Sequence, residues 1–161
     1  MDIDIVRTDD LETVLGLGLA AGLAKHDQDV EGIQAMWLAI DAGEPVGAVM
    51  LRHQAGLDIV GWMAVREDHR GRGVGRRLLA TVEEHLVCSG AARSWATARA
   101  TGFFLHHGYT PVDSGPAHDY LLGPCLSCEQ YRATCTPRAV SKALAAGDDE
   151  EERWHGPHSL T

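Results

Sequence analysis

The stretch Asp68–Leu79, "DHRGRGVGRRLL", decides how the fold of this chain is interpreted. It places Gly71, Gly73 and Gly75 at alternate positions among four arginines, and an apolar run follows directly. The chain as a whole is acidic, with a formal net charge of −9 over 161 residues. A general nucleic-acid surface would need a basic chain, which this acidic protein is not. The local cluster of arginines therefore indicates a site for a single anion.

This stretch lies between a predicted strand and a predicted helix. Residues 57–65, "LDIVGWMAV", are apolar on both faces, which predicts a strand in the middle of a sheet. Val74, Leu78, Val82 and Leu86 recur at helical spacing and predict an amphipathic helix. A strand, a glycine-rich turn and a helix form a phosphate-binding arrangement. The reason is that the first helical turn has unpartnered N–H groups, and glycines let several of them face one concavity.

Two well-known nucleotide motifs do not fit the stretch. The Walker pattern needs a lysine and a hydroxyl residue after its second glycine, but Arg76 and Arg77 follow Gly75. The dinucleotide fingerprint needs a third glycine where the chain has Arg76, and it opens the first βαβ unit, whereas several predicted strands precede this stretch. The sequence therefore disfavours both kinds of nucleotide site.

The pattern Arg70-x-x-Gly73-x-Gly75 resembles the pyrophosphate-binding motif R/Q-x-x-G-x-G/A of the GNAT superfamily of acyl-CoA-dependent N-acetyltransferases. Residues 62–79, "WMAVREDHRGRGVGRRLL", are similar to the family's fourth strand, loop and third helix. Residues 100–112, "ATGFFLHHGYTPV", are similar to its later A-x-x-F-Y-x-x-x-G-F segment. The order of predicted elements up to about residue 122 agrees as well.

The resemblance implies an α/β fold of the GNAT-like acyl-CoA N-acyltransferase type, a mostly antiparallel mixed sheet with helices on both faces. It also implies an enzyme that moves an acetyl group from acetyl-CoA to a primary amine by direct transfer. Main-chain groups at the end of the fourth strand would bind the pantetheine arm, and loop amides would surround the diphosphate. The matching residues here are Met63, Ala64 and Val65 for the arm, and Arg70, Gly71, Arg72, Gly73, Val74, Gly75 and Arg76 for the loop.

The catalytic positions depart from the family pattern. Phe104 stands where the family often has a tyrosine as general acid, and Gly61 stands where a glutamate is often found. Thr97 occupies the place of a common asparagine and could keep one hydrogen bond there. Tyr120 is the candidate substitute acid, with a structural tyrosine as the alternative interpretation. Proximity alone accelerates aminolysis of a thioester, so these departures are compatible with activity.

A second functional hypothesis follows from the same departures. A protein that keeps the CoA site but has a degenerate catalytic site would be a CoA-binding regulatory protein, or a metal- or thiol-sensing one. Turnover of acetyl-CoA with an amine distinguishes the two hypotheses.

The cysteines Cys125, Cys128 and Cys135 form a C-x₂-C-x₆-C pattern. The first pair has the spacing of a zinc knuckle, so the three cysteines are predicted zinc ligands. Cys88 or His118 would be the fourth ligand. Free thiols in a capping segment are an equally weighted alternative. His53, His69 and His85 follow no such pattern and are predicted as surface or rim groups.

The sequence predicts three segments: an acetyltransferase domain over 1–124, a cysteine-bearing appendage over 125–147 and an acidic, disordered tail over 148–161. Residues 118–122, "HDYLL", are predicted as a strand, and residues 139–146 as a short helix.

The composition also bears on location and partners. The N-terminus lacks a signal pattern and no apolar run reaches membrane-spanning length, which predicts a cytoplasmic protein without a membrane partner. The acidic charge predicts no nucleic-acid partner. The expected partner is a small-molecule or peptide amine, whose identity the sequence does not give, and the resemblance is compatible with a homodimer.

Overall fold

The computed structural model describes residues 2–23, 25–128, 130 and 136–144, which form an α/β fold. Its strands are β1 Ile3–Thr8, β2 Ile33–Asp41, β3 Glu44–Gln54, β4 Leu57–Val65, β5 Arg93–Ala98, β6 Thr110–Val112 and β7 Arg138–Ala143. Its α-helices are α1 Leu11–Ala20, α2 Val74–Cys88, α3 Thr101–His106 and α4 Pro116–Leu122, and short 3₁₀ turns span Asp27–Val30, Glu67–His69 and Gly123–Ser127.

The seven strands follow the order β1-β2-β3-β4-β5-β7-β6. The pairs β1–β2, β2–β3, β5–β7 and β6–β7 are antiparallel. This confirms the predicted fold class, and it confirms β4 as the middle strand. Among the described residues, no helix has both the length and the apolar character needed to cross a membrane.

The described residues divide into two compact units. The first unit lies within residues 1–52 and 60–85, and the second lies within residues 53–59 and 86–161. The first unit contains β1, α1, β2 and most of β3, β4 and α2. Its core includes a cluster between α1 and the sheet in which the Nε1 of Trp62 donates a hydrogen bond to the carbonyl of Val14 over 2.9 Å. The buried members of this cluster are Val14, Met36, Leu38, Ala48, Met50 and Trp62.

The helix α2 buries the stripe that its sequence periodicity predicts. Each predicted core position is buried: Val74, Leu78, Leu79, Val82 and Leu86. The start of α2 lies close to β3, where a Cβ added to Gly47 would be 3.1 Å from Leu78 Cδ1 and 3.2 Å from Val74 Cγ1. Glycine at this position therefore lets the first turns of α2 approach the sheet closely, which fixes where the preceding loop ends.

The second unit has its own apolar cluster, made of Leu57, Ile59, Trp95, Ala117, Leu121 and Ala139. Two buried polar pairs accompany it. The hydroxyls of Ser94 and Tyr109 share a hydrogen bond of 2.8 Å, and Arg93 donates to the hydroxyl of Ser141 over 2.9 Å. These bonds give polar partners to side chains that the fold removes from water.

Two predicted elements are wrong. The segment 118–122 belongs to the helix α4, because Pro116 starts that helix and Ala117 and Leu121, four residues apart, are both buried. Residues 139–143 belong to β7, although their alanines favour a helix, because β7 pairs with both β5 and β6.

The predicted segment boundaries stay a prediction. The strand β7 falls inside the predicted appendage 125–147, and the predicted tail 148–161 lies outside the described residues.

The hairpin between β2 and β3 offers a stabilising substitution. Its two-residue loop has Ala42 at φ +52° and Gly43 at φ +82°, and Ala42 is exposed. Asparagine adopts the left-handed region more readily than alanine does, and Asn-Gly is the favoured pair in such loops. We expect Ala42→Asn to raise the free energy of unfolding by about 0.5–1 kcal/mol, as measured by urea denaturation. Equal or lower stability would contradict this interpretation of the turn.

Candidate functional site

The loop between β4 and α2 has the backbone geometry that its glycines predict. After the 3₁₀ turn Glu67–His69, Gly71 has φ +76° and Gly73 has φ +80°, which are left-handed conformations that other residues adopt at a cost. The amide of Arg77 donates to the carbonyl of Gly73 over 3.1 Å, so the first helical hydrogen bond of α2 ends on this glycine. The amides just before Arg77 consequently have no partner within the helix.

The arginine side chains of the stretch serve different purposes. The guanidinium of Arg76 lies beside the loop, with Nη2 3.6 Å from the position of a Cβ on Gly73. Arg70 Nε donates to the carbonyl of Val65 over 3.1 Å, and Arg77 donates to the carbonyl of Ile3 in β1. The first turn of α2 contains no acidic residue. The dipole of α2 and the guanidinium of Arg76 therefore both favour binding of an anion at the start of α2.

The turn that precedes the loop carries a network of charged side chains. Arg66 binds both carboxylate oxygens of Asp68 over 2.9 and 2.7 Å, and it reaches Glu44 over 3.2 Å. The two ring nitrogens of His69 lie 2.8 Å from Asp68 and 2.7 Å from Asp41. The hydrogen bonds from Arg66 and His69 hold the pKa of Asp68 well below its usual range. The hydrogen bonds that His69 makes to Asp68 and Asp41 raise the pKa of His69.

The prediction that His69 is a surface or rim group is wrong, because the residue is buried. Its partner Asp41 is 28 residues away in sequence. The only local signal was the neighbouring Asp68, and a single His-Asp neighbour pair is too common to identify such a network. His53 is exposed, as predicted, and pairs with Asp58 over 2.8 Å.

The predicted pantetheine-binding residues lie at the end of β4. Ala64 is buried, whereas Met63 and Val65 are half-buried. The carbonyl of Val65 accepts the hydrogen bond from Arg70, and the next amide, that of Arg66, donates to the carbonyl of Val46 over 2.7 Å. The end of the strand is thus tied both to the loop and to β3.

The predicted catalytic residues Thr97 and Tyr120 both belong to the second unit. The hydroxyl of Thr97 donates to the carbonyl of Leu121 over 2.9 Å, so it does keep a hydrogen bond. Tyr120 lies on a helix instead of the predicted strand, half-buried against the apolar cluster of that unit. Phe104 is buried, with its ring 5.1 Å from that of Tyr109 in an edge-on contact. The roles of Thr97 and Tyr120 stay predictions.

The structure describes only part of the cysteine pattern. Cys125 and Cys128 are half-buried around a 3₁₀ turn, where the amide of Cys128 donates to the carbonyl of Cys125 over 3.0 Å. Cys135 lies outside the described residues. Among those that are described, no three His, Cys, Asp or Glu side chains form a group that could hold a metal. Cys88 and His118 are the predicted fourth ligands, but within the described part of the chain neither forms such a group with Cys125 and Cys128.

Zinc binding by Cys125, Cys128 and Cys135 stays a prediction that elemental analysis can test. A structural zinc site predicts about one zinc per chain in protein purified without a histidine tag, because such sites bind tightly enough to survive purification. Less than about 0.1 zinc per chain would leave the free-thiol interpretation.

A family model described as an acetyltransferase (GNAT) domain matches residues 32–111, about half of the chain, including β4, the loop and α2. The chain belongs to the GNAT acetyltransferases. Known structures of this family share its fold at low sequence identity. No curated protein sequence gives a significant match.

Three structural relatives illustrate the breadth of the family. A GNAT acetyltransferase from Staphylococcus aureus is 18% identical, with a TM-score of 0.68 over 89% of this chain and 100% of its own. One from Elizabethkingia anophelis with acetyl-CoA bound is 19% identical, with a TM-score of 0.68 over 88% and 98%. A ribosomal-protein alanine N-acetyltransferase from Escherichia coli is 14% identical, with a TM-score of 0.66 over 89% and 95%. At these identities the likeness concerns the fold.

Proposed function

We propose that this GNAT protein transfers the acetyl group of acetyl-CoA directly to a primary amine. The observation that carries the proposal is the loop before α2, where Gly71 and Gly73 have positive φ and the Arg76 guanidinium lies beside Gly73. The loop falls within the region matched by the family model, and the Elizabethkingia relative binds acetyl-CoA.

The proposed CoA contacts come mainly from the main chain. Amides from Gly71 to Arg76 would surround the diphosphate, and the Arg76 guanidinium would add a charge-assisted hydrogen bond. Main-chain groups of Met63, Ala64 and Val65 would pair with the pantetheine arm. In such a site the amides of Arg72 and Val74, and not their side chains, would face the ligand.

Direct transfer needs three steps from the enzyme. The acceptor must lose a proton to become a neutral amine, the oxyanion of the tetrahedral intermediate must be stabilised, and the leaving thiolate must be protonated. Tyr120 is the proposed general acid, and Thr97 is proposed to position it or the substrate. Support comes from their shared neighbourhood, since Thr97 donates to the carbonyl of Leu121, the residue after Tyr120.

If Tyr120 is the general acid, Tyr120→Phe should lower kcat by about 100-fold, because it removes the proton donor and keeps the ring. Steady-state kinetics measures this, and a thermal melt checks that packing is intact. His118→Ala, on the same helix and half-buried, is the matched control and should leave kcat near the wild-type value. An unchanged kcat in Tyr120→Phe would assign that tyrosine a structural role only.

The alternative function is a CoA-binding regulatory protein with a degenerate catalytic site. The specific observation in its favour is Phe104, a buried ring that cannot donate a proton where the family often has a tyrosine. In addition, Gly61 stands at the usual glutamate position, and the nearest atom to a Cβ there is the Nε of Arg52 at 4.0 Å. A water-mediated base at Gly61 is therefore missing.

One assay separates the two functions. Release of free thiol from acetyl-CoA is followed over a panel of small-molecule amines and peptides with free N-termini, since the Escherichia coli relative is named for a protein alanine. Amine-dependent thiol release supports the transferase. Tight binding of acetyl-CoA without turnover of any amine would favour the regulatory protein. Action in the cytoplasm and assembly as a homodimer belong to the same proposal.

A further inference from the structure

The imidazole of His69 is held on both sides by carboxylates from different parts of the first unit. Its Nε2 lies 2.7 Å from Asp41, the last residue of β2, and its Nδ1 lies 2.8 Å from Asp68 in its own turn. The side chain is only 9% exposed. This histidine is buried, makes two short carboxylate contacts and lies one residue before the loop. The proposed CoA site assigns it no role.

The two carboxylate contacts favour the doubly protonated form of the His69 ring. An ionised carboxylate only accepts hydrogen bonds, so both ring nitrogens must donate, and only the imidazolium carries a proton on each. Asp68 stays ionised because Arg66 binds both of its oxygens. The charged groups that face the ring are Asp41 from β2 and Asp68 from its own turn, with Arg66 and, at the start of β3, Glu44 behind Asp68.

The same contacts fix the turn in space. The main chain of Arg66 is bonded to Val46 in β3, and its guanidinium reaches Glu44 at the start of that strand. His69 adds a bond to Asp41 at the end of β2. The turn 66–69 is therefore tied to the base of the β2–β3 hairpin loop, and the glycine loop extends directly from its last residue.

We propose that His69 is a positioning residue for the loop 70–76: as an imidazolium between Asp41 and Asp68 it holds the turn from which the loop extends, and its deprotonation weakens CoA binding. This inference rests on the proposed function, since it assumes that the loop binds the diphosphate. His69 touches neither ligand nor reacting atoms, and it acts through the position of the loop amides.

The pH dependence has a definite sign. The folded-state pKa of His69 is raised above its ordinary value of 6.5 by Asp68 and Asp41. Its contribution to the ordered loop is therefore fully present below pH 6.5 and is lost as pH rises through the folded pKa. CoA affinity in the wild type should fall over the same alkaline interval.

The test measures the Kd of CoA by calorimetry from about pH 6 to about pH 9 for the wild type and three variants. His69→Gln should bind about fivefold to tenfold more weakly than the wild type at the acid end, because a charged hydrogen bond is lost, and the two should converge at the alkaline end. Asp41→Asn should move the wild-type midpoint to lower pH. His53→Gln, which removes an exposed pair with Asp58, is the matched control and should follow the wild-type profile.

Ring ¹⁵N shifts of His69 in the wild type supply a second readout that does not depend on any variant folding. Both ring nitrogens should stay protonated at neutral pH, and the titration midpoint should match that of CoA affinity. A neutral ring at neutral pH, or parallel profiles for the wild type and a folded His69→Gln, would overturn the inference. Absence of CoA binding in the wild type at every pH would instead refute the proposed function on which it rests.

Discussion

Gly73→Ala is expected to raise the Kd of acetyl-CoA by about fivefold to thirtyfold. Gly73 has φ +80°, and a residue with a Cβ pays about 1–2 kcal/mol in that conformation, where 1.4 kcal/mol corresponds to a factor of ten in affinity. The free loop of the variant can relax out of this conformation, so the cost falls on the bound state. The new methyl group would also lie 3.6 Å from the Arg76 guanidinium, which is proposed to contact the diphosphate.

Gly90→Ala is the matched control for this effect. Gly90 has φ +82° and no atom within 4 Å of an added Cβ, but it follows the other end of α2. Only Gly73→Ala should lose affinity for acetyl-CoA, as measured by calorimetry at constant pH. Equal affinities in the two variants would mean that the loop conformation at Gly73 does not matter for CoA binding.

Gly18→Ala is expected to lower the free energy of unfolding by about 3 kcal/mol, because overpacking and a lost buried hydrogen bond add together. An added Cβ would lie 2.2 Å from Nε1 of Trp62, so the indole must move. That movement would break its hydrogen bond to the carbonyl of Val14 and disturb the cluster around α1. The indole has little freedom to adjust, since it is buried.

The control for Gly18→Ala lies one half-turn away on the same helix. Gly16 is exposed, and no atom lies within 4 Å of an added Cβ. Gly16→Ala should therefore raise stability by about 0.5–1 kcal/mol through helix propensity alone. Urea denaturation of both variants gives the comparison. Similar stability changes of the same sign would show that Trp62 does not pack on α1 as described.

The parts of the fold that the sequence predicts are those fixed by local interactions. The burial of Val74, Leu78 and Val82 follows from a 3.6-residue period, and positive φ at Gly71 and Gly73 follows from the use of glycine before a helix. These features need only residues close in sequence, so a short window contains all the information.

The features that the sequence did not predict depend on distant partners. The assignment of 139–143 to a strand depends on pairing with β5 and β6, which outweighs the helix propensity of its alanines. The burial of His69 depends on Asp41, 28 residues away, and the packing of Trp62 depends on a helix 48 residues earlier. A residue such as Tyr120 looks the same in sequence whether it belongs to a strand or to a helix that packs on the sheet.

The main-chain amides of residues 71–76 are proposed to bind a diphosphate, and amide NMR tests that directly. Titration of ¹⁵N-labelled protein with CoA should give its largest chemical-shift changes at the amides of Gly71, Gly73 and Gly75, because a diphosphate accepts hydrogen bonds from them. Pantetheine, which lacks the diphosphate, should leave these three amides nearly unchanged. Saturating CoA with no shift at these amides, or equal shifts with both ligands, would contradict the account.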